Sequence, residues 1–214
     1  MARRAGSSRS RDMAQKGVPP SPYICRTIPH FDILDEGQIL RLEGQVDWIL
    51  QDVGIAFRDD STALELWRRE GATIEDDIVR APADWIRALC AKAPSEFIQL
   101  ARNRERSVVI GGNNQVFAPI YGAPFVRDLE GGRRYGDMKA FQDLVRLSYL
   151  HPNLHHGGFV TCEPCDVPVS KRHLDMLFAH MTLSDKPHLG AITEMSRAQD
   201  SVDMAEIVFG ADVM

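Results

Sequence analysis

The rhythm of the chain after Asp137 admits few folds. Asp137 precedes Met138, Phe141, Leu144, Val145 and Tyr149, an apolar set at helical spacing behind a capping residue. Residues 157–161 (GGFVT) then read as a small, apolar strand. Ser170 opens a second helix, with Leu174, Leu177, Phe178 and Met181 at i, i+3, i+4 and i+7. Residues 188–193 read as the next strand. Ser196 with Gln199 caps a last helix carrying Val202, Ala205 and Phe209, and Gly210 ends it. With 116–120 as the first strand, strand and helix alternate about three times, which implies parallel strands with helices packed outside them. Alternation leaves two architectures open, a closed eight-fold barrel and an open doubly wound sheet. No Gly-x-Gly-x-x-Gly follows any strand, which counts against a dinucleotide fold, and the absence of Gly-x-x-x-x-Gly-Lys-Ser/Thr excludes a P-loop.

Upstream the character differs. Residues 1–22 hold arginine, serine, glycine and proline with little to bury, and are expected to form a basic, disordered tail. Asp35 and Gln38 predict a capping box for a helix bearing Ile39, Leu42, Val46, Ile49, Leu50 and Val53, stopped by Gly54. A short helix from about Ser61 carries Leu64 and Trp67 and ends at Gly71, and 78–80 is a brief extended piece. Pro82 is expected to open a third helix with Trp85, Ile86, Leu89, Cys90 and Ala93 as its buried stripe, ended by Pro94. Residues 97–101 and 107–110 read as strands. The turn Gly111-Gly112-Asn113-Asn114 leads into 116–120, and 124–129 is extended up to the turn at Gly131-Gly132.

Composition removes several functional classes. The net charge of -5 gives no bulk positive field for nucleic acid. No run of about 18 apolar residues is present, so no membrane span is expected, and the basic N-terminus lacks the apolar region of a secretory signal. Four cysteines in 214 residues do not make a disulfide scaffold, and a cytoplasmic protein with reduced thiols is expected.

Several separated blocks share an order with a known family. NNQVFAPIYGAPFVRDLEGGRR (113–134), PNLHHGGFVTCEPCDVP (152–168), RHLDMLFAHMTLSDKPHLG (172–190) and DMAEIVFG (203–210) resemble the trimethylamine and glycine betaine methyltransferases. DVGIAF (52–57), LELWRREGA (64–72), IVRAP (78–82) and APSEFIQLARN (93–103) extend the resemblance to roughly residues 30–214. It implies an α/β fold: a TIM-type (β/α) barrel, here partial with about three βα units, preceded by a helical and β N-terminal extension. The expected division is 1–22 tail, 23–106 extension and 107–214 the first part of the barrel. Such a barrel needs about 250 residues by itself, so an N-terminal fragment is expected.

The resemblance also implies chemistry: a methyl group passes from a tertiary or quaternary amine to the cobalt of a corrinoid. No cofactor is bound directly; the corrinoid rides on a cognate partner protein. A partial barrel leaves strand edges unpaired, so a homo-oligomer or a separately encoded C-terminal half is expected to cover them. The alternative is a non-catalytic fragment or association module.

Barrel enzymes carry their sites at the C-terminal ends of the strands. That rule selects Tyr121 after the first strand, Glu163 after the second, and Thr193 and Glu194 after the third as substrate-binding residues; no catalytic residue is assigned. The Tyr121 ring can wall a quaternary ammonium, which is drawn to aromatic faces, and equally can be a packed strand end. Glu163 and Glu194 can balance a cation, and equally can solvate loops and helix starts. Cys162-x-x-Cys165 with His155 and His156 nearby offers too few spaced ligands for zinc, and ordinary thiols are expected. His173, His180 and His188 read as packing or surface residues. Arg133-Arg134 reads as a solvated edge or a docking point for an acidic partner.

Overall fold

A computed structural model describes residues 24–210. The expected basic tail, 1–22, lies outside them. The chain divides into two compact units, Thr27–Ser95 and a second formed by Met1–Arg26 with Glu96–Met214.

In the Thr27–Ser95 unit, helix α1 (Glu36–Trp48) begins as its sequence predicts. The Asp35 carboxylate accepts from the Gln38 N–H at 2.8 Å, and the Gln38 side chain accepts from the Asp35 N–H at 2.9 Å. The helix runs on as a π-helical turn, Ile49–Val53, and stops at Gly54. That residue has a φ of +82°, and a Cβ on it would stand 2.7 Å from the Ile78 side chain, so glycine is required twice over. The apolar stripe of α1 is not buried as its spacing led one to expect: Ile39, Leu42, Val46, Ile49 and Val53 are all exposed. Helix α2 (Ser61–Arg69) is capped by Asp60. The third helix is shorter than predicted. Asp84 adopts a left-handed φ of +64°, so α3 spans only Trp85–Cys90, and Cys90 and Ala93 lie exposed. Three antiparallel strands, Ile55–Ala56, Ile78–Arg80 and Thr73–Glu75, form a small sheet with Ile78–Arg80 in the middle. Phe57, Trp67 and Trp85 pack ring to ring, and Arg87 draws together Glu43, Asp47 and Asp84.

In the second unit, Glu96–Gln99 and Val108–Gly111 pair antiparallel where strands were expected. The two glycines of the following turn take the positive φ values, +112° at Gly111 and +55° at Gly112. Asn114–Gln115 pairs with Ile24–Cys25, and Phe125–Asp128 forms a hairpin with Gly132–Tyr135. Helix α4 (Met138–Leu150) is capped by Asp137, whose carboxylate accepts from the Ala140 N–H at 2.7 Å. Its Phe141 and Val145 are almost wholly enclosed and form a core with Val160, Cys162, Met176 and Ala179. Helix α5 (Val169–Leu183) buries His173, Met176, Leu177, Ala179, His180 and Met181; Phe178, expected on that face, is exposed. Helix α6 (Met195–Phe209) starts two positions earlier than predicted, with Glu194 at the cap position and Ser196 inside the first turn. The Gln199 amide therefore reaches forward to Asp203.

The three segments expected as parallel strands, 116–120, 157–161 and 188–193, are extended chain without regular ladders. Gly158, with a φ of +84°, interrupts the middle one. They nevertheless lie side by side and run the same way. Phe117 O accepts from His155 and His156 N–H, Val160 O accepts from Gly122 N–H, and Ala123 O accepts from Glu163 N–H. Across the next gap, Pro187 O accepts from Gly157 N–H and Gly158 O from Leu189 N–H. Residue numbers rise together along each pair, which is parallel pairing. All regular sheets among the described residues are antiparallel and small, and none is closed, so the fold is mixed α/β.

Candidate functional site

A cavity of about 560 Å³ opens over the parallel-paired segments, within the Glu96–Met214 unit. Two of its walls follow from strand-like alternation, which turns every second side chain to one face. Phe97 and Gln99 face it from one segment, Val116 and Ala118 from the next, and His156 and Gly158 from a third. Tyr121 and Phe159 close one side, with ring centroids 5.9 Å apart and planes at 83°. That edge-to-face arrangement leaves Tyr121 64% exposed, so its ring is available to a ligand. No residue lining the cavity carries a formal charge at neutral pH, His156 included: burial pushes its pKa down to about 4, helped by the nearby His180.

The hydrogen bonds of His156 also settle its tautomer. Its Nδ1 accepts from the Gly158 N–H at 2.8 Å, so the neutral ring carries its proton on Nε2. Behind the wall, His180 Nε2 donates to the Phe159 carbonyl at 2.9 Å and holds that segment in place. The His180 ring stacks on His188, centroids 5.0 Å apart and planes 4° from parallel, and meets Phe141 edge-on. Burial lowers the pKa of both histidines, that of His188 to about 4. The three imidazoles form a neutral, largely buried support.

Gly158 permits the close approach on which the cavity depends. A Cβ there would fall 2.5 Å from Pro119 Cγ, so the first two segments meet only because position 158 is glycine.

Of the four residues selected from the sequence, Tyr121 lines the cavity and the other three do not. Glu163 is half-buried and paired with Arg172 at 3.3 Å, and Arg172 also donates to the Val167 carbonyl at 2.8 Å, fastening the loop before α5. Glu194 pairs with Arg197 at 3.0 Å, and Thr193 is exposed beside it. Phe97, Gln99, His156 and Phe159 escaped the sequence reading, which looked only at strand ends. Alternation marks Phe97 with Gln99; no local signal marks His156 or Phe159, which face the cavity only once a neighbouring segment covers them. Cys162 is enclosed in the core, where burial pushes its thiol up to about 11, and Cys165 is exposed; both are free. Among the described residues, no group of three or more histidines, cysteines or carboxylates is placed to hold a metal.

A profile of the trimethylamine methyltransferase (MTTB) family matches residues 2–214. The chain belongs to that family. It is also similar to a protein named glycine betaine methyltransferase from Desulfitobacterium hafniense (strain Y51), 39% identical over 183 residues. The alignment covers 86% of this chain but only 38% of that relative, so this member of the family spans well under half of the relative's length. No helix among its described residues is long and apolar enough to cross a membrane.

Proposed function

We propose that this chain is the front part of an enzyme that moves a methyl group from a tertiary or quaternary amine, trimethylamine or a betaine, to the cobalt of a corrinoid carried by a cognate partner protein. The observation that carries the reading is the cavity, uncharged and walled by the Phe97, Tyr121 and Phe159 rings. An ammonium is attracted to such faces by the ring quadrupole, the more strongly where water is excluded. The corrinoid is a co-substrate here, and no residue of this chain is assigned to hold it. For a quaternary amine the transfer breaks the C–N bond, whose electron pair stays on nitrogen, and the reduced cobalt of the corrinoid supplies the pair for the new bond to the methyl carbon. Positioning one methyl toward the acceptor is the main task left to the protein. Thr193, Glu163 and Glu194 are kept in this reading as substrate-binding groups at the strand ends, although none of them lines the cavity.

The architecture that fits this role is the opening portion of a (β/α) barrel, with the three parallel-paired segments as its first strands and 23–106 as an extension before it. The family resemblance and the direction of pairing support that assignment. A second reading is favoured by the exposed apolar stripe of α1 and by the 38% coverage: an association module completed by a partner or a further length of chain.

One assay separates the two. Reduced corrinoid protein, amine and this chain are mixed with and without the C-terminal portion of the glycine betaine methyltransferase, and cobalt methylation is followed by absorbance. Methylation that depends on both chain and amine supports the enzyme. None with trimethylamine or any betaine, even with the C-terminal portion added, rules the enzyme out.

A further inference from the structure

We propose that His156 is a specificity-determining residue of the cavity: its Nε2–H receives a substrate carboxylate, so the site takes zwitterionic betaines in preference to quaternary amines that lack a carboxylate. The inference rests on the reading of the cavity as an amine site and goes further by naming what distinguishes one amine from another.

The geometry argues it in three steps. His156 lines the cavity and its Nδ1 edge is taken up by the Gly158 amide at 2.8 Å, which leaves the Nε2–H edge for a ligand. A backbone amide can only donate, so this contact fixes Nδ1 as the acceptor and Nε2 as the donor. Next, apart from the Tyr121 hydroxyl, the other polar side chain of the lining is Gln99, whose amide nitrogen is anchored on the His188 carbonyl at 3.2 Å. The anchored amide still has a second N–H. The His156 Nε2–H and the second Gln99 N–H are thus donors among the lining residues. Finally, the lining has no carboxylate to neutralise a lone cation. A zwitterion brings its own counter-charge: its ammonium meets the rings of Tyr121 and Phe159, and its carboxylate meets donors rather than apolar wall. A cation without a carboxylate leaves the imidazole N–H facing a positive charge and unpaired.

The neutrality of the ring gives the idea a second signature. Burial holds His156 uncharged down to a pKa of about 4, so the carboxylate is recognised by a neutral donor and not by an imidazolium. Selectivity for the zwitterion is then flat from about pH 6 to about pH 9, whereas recognition by a charged histidine would fade across that range.

The test is calorimetric titration of the whole chain with glycine betaine and with tetramethylammonium, for the native protein, His156→Phe and His156→Asn, with circular dichroism recording that each variant is folded. The native chain is expected to bind the betaine roughly tenfold or more tightly than tetramethylammonium. His156→Phe is expected to remove that advantage while leaving tetramethylammonium within about twofold, and His156→Asn, which keeps an N–H donor, to restore part of it. Equal binding of the two ligands by the native chain overturns the role of His156 and leaves the amine site standing. So does an equal loss for both ligands in His156→Phe. If the native chain binds neither ligand, the amine reading of the cavity falls as well. Should His156→Phe fail to fold, the native comparison and its pH profile decide the matter alone.

Discussion

At the scale of single residues, the cavity depends on a glycine and on histidines kept neutral. Gly158 combines a φ of +84° with an approach to Pro119 that no Cβ can share. Gly158→Ala is expected to cost about 2–4 kcal/mol in urea-induced unfolding, since both the backbone strain and the overlap must be absorbed. The histidines make stability depend on pH. In the unfolded chain an imidazole titrates near about 6.5, whereas His156 and His188 are held near 4 in the fold. Between those values the unfolded state binds more protons. The stabilising contribution is therefore complete above about pH 7 and is lost as the pH falls toward 4. Each histidine contributes a slope of up to about 1.4 kcal/mol per pH unit in that window. Denaturant midpoints measured from pH 7.5 to pH 5 are expected to fall steadily, and a flat profile contradicts the buried-neutral assignment. From the sequence, Tyr121 was legible because it ends an apolar segment. His156 was not, because a histidine beside a glycine pair reads as a loop until a neighbouring segment covers it.

At the scale of elements, helices and local hairpins were legible and the long-range parallel strands were not, for a physical reason. The caps of α1 and α4 are local bargains between residues three apart, so Asp35 with Gln38 and Asp137 with Ala140 declare themselves in sequence. The segments around 116–120, 157–161 and 188–193 depend on partners about 30 to 40 residues away, as the paired positions 117 with 155 and 157 with 187 show. No local pattern states how regular such a ladder will be. One long-range device stands out. Lys186 is only 3% exposed, and its ammonium donates to the carbonyls of Ser148, His151 and Leu154 at 2.9, 3.2 and 2.7 Å, closing the C-terminal end of α4. Burial lowers its pKa to about 8, so the amine stays charged at neutral pH and remains a good donor. Lys186→Met is expected to cost roughly 2–3 kcal/mol in chemical unfolding because three carbonyls lose a charged, buried donor. Lys139→Met, which breaks only an exposed pair with Asp143, is expected to change stability by less than about 0.5 kcal/mol.

For the molecule as a whole, the balance of buried and exposed apolar surface governs behaviour. The Glu96–Met214 unit has a dense core around Phe141, Val145 and Cys162. The Thr27–Ser95 unit leaves Phe31, Ile33, Leu42, Val46 and Trp48 about half or more exposed. Apolar surface of this kind seeks cover. Sedimentation across a concentration series is expected to show association that deepens with concentration, and a sharp monomer at every concentration contradicts it. Family membership and the mixed α/β class could be read from the sequence because many separated blocks agree in order. Burial could not, since spacing predicts which residues share a helix face and says nothing of what lies against it.

The claim on which the account turns is that quaternary ammonium binds in the cavity against the Tyr121 and Phe159 rings. The most direct measurement is nuclear magnetic resonance of the chain with glycine betaine, reading the ligand's N-methyl protons. Upfield-shifted methyl signals with cross-relaxation to the ring protons of Tyr121 and Phe159 are the expected result. Contacts confined to the Glu163 or Glu194 side chains, with those two rings silent, would contradict it.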